Sequence, residues 1–174
     1  MILINILLFL FHPGTPSPDS YPVPAKSPAH LFYIQRSLNK NTVIYEANFD
    51  DQGMLNEGQP IKVYWILYEK EGVVEELSYL ERKFAYGVSH EAVQNKTGHY
   101  HIQLASYKSL KLLLKQTAPY TVELLFTNKT ISSKLDHIYV QANNAGLYTK
   151  VDQLDVYTHN ADRNSLDKIS ISPE

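Results

Sequence analysis

The chain contains no cysteine. That absence removes disulfides, thiolate zinc sites, iron–sulfur clusters and cysteine nucleophiles. It also lacks charge of one dominant sign: 16 basic side chains stand against 18 acidic ones, for a formal net charge of −2. Such a balance leaves no electrostatic footprint for nucleic acid or an anionic surface. Long apolar runs are missing as well. Met1 to Phe11 carries ten apolar residues around Asn5, too few to span a bilayer as a helix. No residue pattern calls for a cofactor.

What is abundant is tyrosine, with 13 copies in 174 residues. Tyrosine suits half-buried pleated surfaces, where the ring is packed and the hydroxyl stays wet. The same rings would also serve as a platform for a flat ligand such as a sugar. The length suits a single domain, long enough to bury about two-thirds of its unfolded surface.

Residues 1–12 read as an apolar leader with the length of a secretory signal core. No Lys or Arg precedes the apolar run, the first being Lys26, and no small-residue cleavage site follows it. Residues 13–28 hold six of the nine prolines, Pro13, Pro16, Pro18, Pro22, Pro24 and Pro28. Proline removes a backbone donor and fixes φ, so this stretch reads as an extended spacer. Tyr21 to Val23 are expected to dock on the domain as an edge.

From residue 29 to 172 the dominant signal is alternation with period two, which predicts one β-rich domain. In Thr42 to Phe49 one face offers Val43, Tyr45, Ala47 and Phe49; the other offers Ile44, Glu46 and Asn48. In Ile61 to Tyr68 the apolar face is Ile61, Val63, Trp65 and Leu67, backed by Lys62, Tyr64, Ile66 and Tyr68. That second strand is expected to be central, with a loop or helix over its Tyr64 face. Further strands are predicted at Leu31 to Arg36, Val88 to Val93, Tyr100 to Ala105, Leu110 to Lys115, and Tyr120 to Phe126. Three more follow at Leu135 to Ala142, Val151 to Tyr157 and Lys168 to Ser172. Turn signals stand at Thr127 to Thr130 and Asn143 to Gly146. Ser78 and Glu81 form a capping box, with Leu80 and Phe84 on one face and Gly87 at the end. They predict a helix over residues 79–86. The expected fold is all-β: an antiparallel sandwich or small barrel of about nine strands with one short helix near Ser78 to Tyr86.

These runs carry a resemblance. YPVP (Tyr21 to Pro24), LFYIQRS (Leu31 to Ser37), NTVIYEANFD (Asn41 to Asp50) and VYWILYE (Val63 to Glu69) resemble the bacterial domain of unknown function 4833. RKFAYGV (Arg82 to Val88), LKQTAPY (Leu114 to Tyr120) and KLDHIYVQANNAGLY (Lys134 to Tyr148) continue the match in order and spacing. The resemblance implies an exported envelope protein, periplasmic, envelope-associated or extracellular. It brings no assigned activity, so no residue inherits a role.

Several constellations stand out. His99 and His101 share a strand face and form the one pair with metal-ligand spacing; His90, His137 or His159 would have to complete a site through tertiary contact. A solvated strand face explains the pair more simply. Asn48 to Gln59 carries oxygen groups at calcium-loop spacing, but Gln59 replaces the bidentate glutamate and strands flank the loop. The loop also reads as a polar connection in which Gly53 and Gly58 adopt positive φ. Ser37 to Lys40 and Ser165 to Lys168 match S-x-x-K without the buried helix that chemistry requires. Asn95 to Thr97 and Asn128 to Thr130 are sequons that serve as turns.

Glu46 and Glu123 sit inside predicted strands, where a solvated loop is not the default explanation. Glu46 with Arg36 forms either a salt bridge or the heart of a ligand cluster including Gln35 and Asn48. Tyr64 and Tyr68 lie about 13 Å apart on one strand face, close to the helix ending at Tyr86. The expected ligand-binding set is therefore Arg36, Glu46, Asn48, Tyr64, Tyr68 and Tyr86. The expected function is a non-catalytic envelope module that binds a glycan or an envelope protein. Two alternatives are a small glycan hydrolase using a carboxylate pair and an assembly module acting through an edge strand.

Overall fold

The computed structural model describes residues 21–128, 131–145, 148–160 and 162–172. The leader at residues 1–12, the start of the spacer, and the turn positions Lys129, Thr130 and Gly146 lie outside the described residues. The first four strands are β1 (His30–Arg36), β2 (Asn39–Ala47), β3 (Ile61–Leu67) and β4 (Val73–Glu76). A short 3₁₀ turn, Tyr68–Lys70, joins the last two. After helix α1 (Tyr79–Phe84) come β5 (Val88–Ala92), β6 (His99–Leu104), β7 (Leu112–Ala118) and β8 (Thr121–Asn128). The chain closes with β9 (Ile131–Ala145), β10 (Tyr148–Asn160) and β11 (Ser165–Ile171). No helix among the described residues is long and apolar enough to cross a membrane.

The strands form one sheet, in the order β4-β3-β2-β1-β9-β8-β7-β6-β5, curled into a half-barrel. The all-β reading with a single short helix holds. One pairing corrects the antiparallel expectation: β1 runs parallel to β9, with Tyr33 opposite His137 and Arg36 opposite Val140. The long β9 makes this arrangement. Its first residues pair with β8, its middle with β1, and from Leu135 onward it also pairs with β10. β10 in turn carries β11.

The inner face of the curl holds one core, built from the predicted alternations. Val43, Tyr45 and Ala47 of β2 meet Ile61, Val63, Trp65 and Leu67 of β3 there. The other half adds Ile102, Leu112, Leu114, Leu124 and Phe126. Phe32 stacks on Tyr45 with ring centroids 4.1 Å apart. Burying each such aliphatic or aromatic side chain contributes about 1.5–3 kcal/mol. The Tyr45 hydroxyl, inside this core, donates to the Tyr86 carbonyl at 2.7 Å.

Helix α1 begins as its capping box predicts. The Glu81 amide donates to the Ser78 hydroxyl, and the Glu81 carboxylate accepts from the Ser78 backbone. That serine holds the Glu81 carboxyl below its ordinary range, first through its hydroxyl. The helix lies on the inner side of β3, where the Trp65 indole donates to Glu81 at 3.1 Å. This corrects the expectation that it covers Tyr64 and Tyr68, which are on the opposite face. Gly87 follows the helix without the positive φ of a left-handed C′ glycine; a Cβ there would stand 1.8 Å from the Arg82 carbonyl oxygen. β4 was not expected, because Val-Val-Glu-Glu shows no alternation and all four side chains are exposed.

The Asn48 to Gln59 loop spends its oxygens on its own backbone. The Asp50 carboxylate accepts from the Gln52 and Met54 amides, and the Asn56 side chain accepts from Gly58 and Gln59. Gly53 has φ +77°, as expected; Gly58 has no positive φ. Gln116 anchors this loop from β7: it accepts from the Leu55 amide at 3.0 Å and donates to the Gly53 carbonyl at 2.7 Å.

Candidate functional site

The structure divides the expected ligand set between two faces. Phe32, Ile34 and Arg36 alternate toward the inside, so the Arg36 guanidinium meets Tyr86 and donates to its hydroxyl. The Tyr86 ring stands edge-on to Trp65, 4.9 Å between centroids. Glu46 is on the outer face and at the other end of the hairpin, opposite His30, whereas Arg36 is opposite Asn39. The expected Glu46–Arg36 salt bridge therefore does not form. Glu46 instead accepts from the Ser27 hydroxyl and from Tyr64. Burial and then the Glu46 carboxylate push the Tyr64 hydroxyl up to about 12. Asn48 is a loop brace, donating to the Gln59 carbonyl at 2.8 Å. Tyr64 and Tyr68 are both half-buried on the outer side.

The outer face carries a second row that was not expected. Register places Tyr64, Ile44, Tyr33, His137 and Tyr157 side by side across β3, β2, β1, β9 and β10. The His137 ring is sandwiched between Tyr33 and Tyr157, at 4.9 Å and 4.1 Å, with nearly parallel planes. Its Nδ1 lies 2.8 Å from the Asp136 carboxylate. Neighbouring strand residues normally point to opposite faces. Here a bulge intervenes: Tyr157 opposes His137 while Thr158 opposes Leu135, which leaves Asp136 unpaired. Asp136 also receives Lys26 at 2.5 Å and His159 at 3.1 Å. Burial raises its carboxyl pKa, but hydrogen bonds from His137 and Lys26 win and hold it well below the ordinary carboxylate range. Beside this cluster His30 has both ring nitrogens buried without a partner. Its burial, and then Lys26, lower its pKa.

Further along, Asp155 is 1% exposed. It accepts from Gln141, Gln153 and Ser170 at 2.6–2.7 Å, with Lys168 at 3.7 Å. Burial raises its pKa, and these donors outweigh burial and lower it.

Across this face runs the end of the proline-rich segment. The Gln35 amide donates to the Pro22 carbonyl at 2.7 Å, and the Tyr21 ring stands edge-on to Tyr139 at 5.7 Å. Tyr21 and Pro24 are buried. The contacts pass from Gln35 at one end of β1 to Glu46, opposite His30, at the other. The segment thus lies along β1, over the sheet face and not at an edge.

The remaining motifs resolve simply. His99 lines an open cleft of about 510 Å³ with Glu57 and His90, while His101 lines a separate one of about 570 Å³. Among the described residues no group of three His, Asp or Glu is arranged to hold a metal. The Ser37 hydroxyl is buried and donates to the Ala142 carbonyl at 2.6 Å, a brace between β1 and β9. Glu123 lies opposite Lys115 on the neighbouring strand.

No curated protein and no solved structure matches the chain. The model of the family "Domain of unknown function (DUF4833)" matches residues 32–168. That span runs from within β1 into β11, takes in both Asp136 and His137 of the outer-face cluster, and shows that the chain belongs to the DUF4833 family.

Proposed function

We propose that this is an exported, non-catalytic binding module of the cell envelope, which meets a glycan through the tyrosines at one border of its outer face. One observation carries the reading. Tyr64, beside Glu46, and Tyr68 are partly exposed on the outer side, while the acids on that face are already engaged. Glu46 accepts from Ser27 and Tyr64, Asp136 from three cations or imidazoles, and Asp155 from two amides and a hydroxyl. A glycosidase needs two carboxylates free to reach the scissile bond. A sugar-binding face needs accessible aromatic rings and a hydrogen-bonding group beside them. The apolar leader and the exported character implied by the family support the location.

The test is a thermal-shift and glycan-array screen with envelope glycans, run beside a Tyr64→Ala/Tyr68→Ala variant. Binding is expected for the natural chain and a loss of about tenfold or more for the variant, at the scale of one or two stacked rings. Identical profiles for the two proteins would end this reading. Fractionation of cells expressing a C-terminally tagged chain tests export, and retention in the cytoplasm would refute it.

A further inference from the structure

We propose that the outer face also holds a recognition groove for an extended peptide of the pattern Tyr-Pro-x-Pro-x-Lys, filled in cis by Tyr21 to Lys26 and suited to such a segment of a different protein. The segment is held as a ligand is held. Among the described hydrogen bonds, residues 22–26 make none between backbones; side chains of the sheet supply the contacts.

Each contact reads one chemical feature. Tyr139 takes the tyrosine, by its ring edge and by a hydrogen bond between the hydroxyls. Gln35 donates to the carbonyl of the first proline. The second proline is buried. Asp136 takes the lysine. The two unread positions point outward: Val23 is 72% exposed and Ala25 is exposed. Proline-rich segments are recognised in this way because they are already extended and leave their carbonyls unpaired.

The groove does not depend on the strap for its shape. Gln35 is oriented by Thr42 at 3.1 Å, and Asp136 by His137 from its own strand. Groups fixed by the sheet persist when the occupant leaves, which is the condition for binding a second one. A tethered occupant competes at an effective concentration of about millimolar, so the groove is masked in the resting chain.

The experiment uses the full chain with a weakened strap, Tyr21→Ala/Lys26→Ala, and a fluorescein-labelled peptide YPVPAKSP read by anisotropy. Saturable binding is expected, about tenfold or more tighter than to the natural chain, whose own strap competes. A peptide with glutamate in place of lysine should bind at least about tenfold more weakly, because it faces Asp136. Equal binding by both proteins, or indifference to the lysine, overturns the proposal. If circular dichroism shows the variant unfolded, the natural chain is titrated with millimolar unlabelled peptide and followed by NMR at the Gln35 side-chain amide. A saturating shift supports the groove and no shift overturns it. A natural dimer dissociated by the peptide would assign the groove to a second copy and overturn the different-protein partner. Tyr64 and Tyr68 take no part in these contacts, so this inference and the glycan reading fail separately.

Discussion

Asp136→Asn is the substitution with the most to say about the outer face. The asparagine keeps one acceptor oxygen, loses the charge, and turns an NH₂ toward groups that are donors. Lys26 and His159 have side chains 45% and 47% exposed, so water replaces their lost partner. The His137 side chain is 13% exposed and sandwiched between two rings, so its Nδ1 has no such recourse. A buried hydrogen bond to a charged group is worth about 1.5–3 kcal/mol, and an exposed ion pair about 0–1. The expected loss is therefore about 2–3 kcal/mol, measured by urea unfolding at pH 7 with the single tryptophan, Trp65, as the probe.

The pH dependence sharpens the test. The folded Asp136 carboxyl titrates below its unfolded value of 3.8, so its stabilisation is complete above about pH 5. As pH falls the unfolded chain takes up the proton first, and the contribution drains away between about pH 5 and 1. Asp136→Asn removes that part of the acid slope. His30 acts in a higher window, because its folded pKa lies below 6.5. Below that pH the unfolded chain again protonates first, so a decline beginning near pH 6.5 survives in the variant. A loss below about 0.5 kcal/mol, with an unchanged slope under pH 5, would refute the role given to Asp136.

Two further substitutions test the frame around the sites. Gly87→Ala puts a methyl group 1.8 Å from the Arg82 carbonyl oxygen, and the backbone must move. A loss above about 2 kcal/mol is expected in thermal melts, and an unchanged melting temperature would contradict the close approach. Gln116→Leu leaves the Leu55 amide without its partner and takes one of two donors from the Gly53 carbonyl, which keeps the Tyr120 amide. The expected cost is about 1–3 kcal/mol, with faster amide exchange confined to the loop over residues 50–56; uniform exchange would argue against an anchor.

Much of the fold was legible because its strands obey the simplest period. Val43, Tyr45 and Ala47 against Ile44 and Glu46 gave the inner and outer faces of β2 directly. The Ser78–Glu81 box marked α1 because both ends of its reciprocal hydrogen bonds are side chains visible in the sequence. The parallel β1–β9 pairing was not legible, since alternation says which side chains share a face and nothing about which strand lies alongside. The mistaken Glu46–Arg36 pairing had another source: their strands are neighbours, but Glu46 faces outward opposite His30 while Arg36 faces inward opposite Asn39. Glu46 and Tyr64, both singled out from the sequence, do stand in contact. Asp136 was missed because period two sends it away from His137, and a bulge overrides the period. A trace of it exists: Leu135 and Ile138 are both core residues, three positions apart where alternation would give two or four.

β9 also has a meaning for how the chain folds. β1 to β4 and β5 to β8 are two meanders whose neighbours in the sheet are neighbours in sequence. Each would form early from local contacts, at little loop-closure cost. Neither completes the core alone, and β1 finds its partner about a hundred residues later, at His137 to Val140. A nascent chain stopped before β9 therefore presents the open edge of β1 and half an apolar interior, the condition under which strands pair with the wrong molecule. The final quarter of the sequence is the seam that joins the halves, and it must be present before either half is safe.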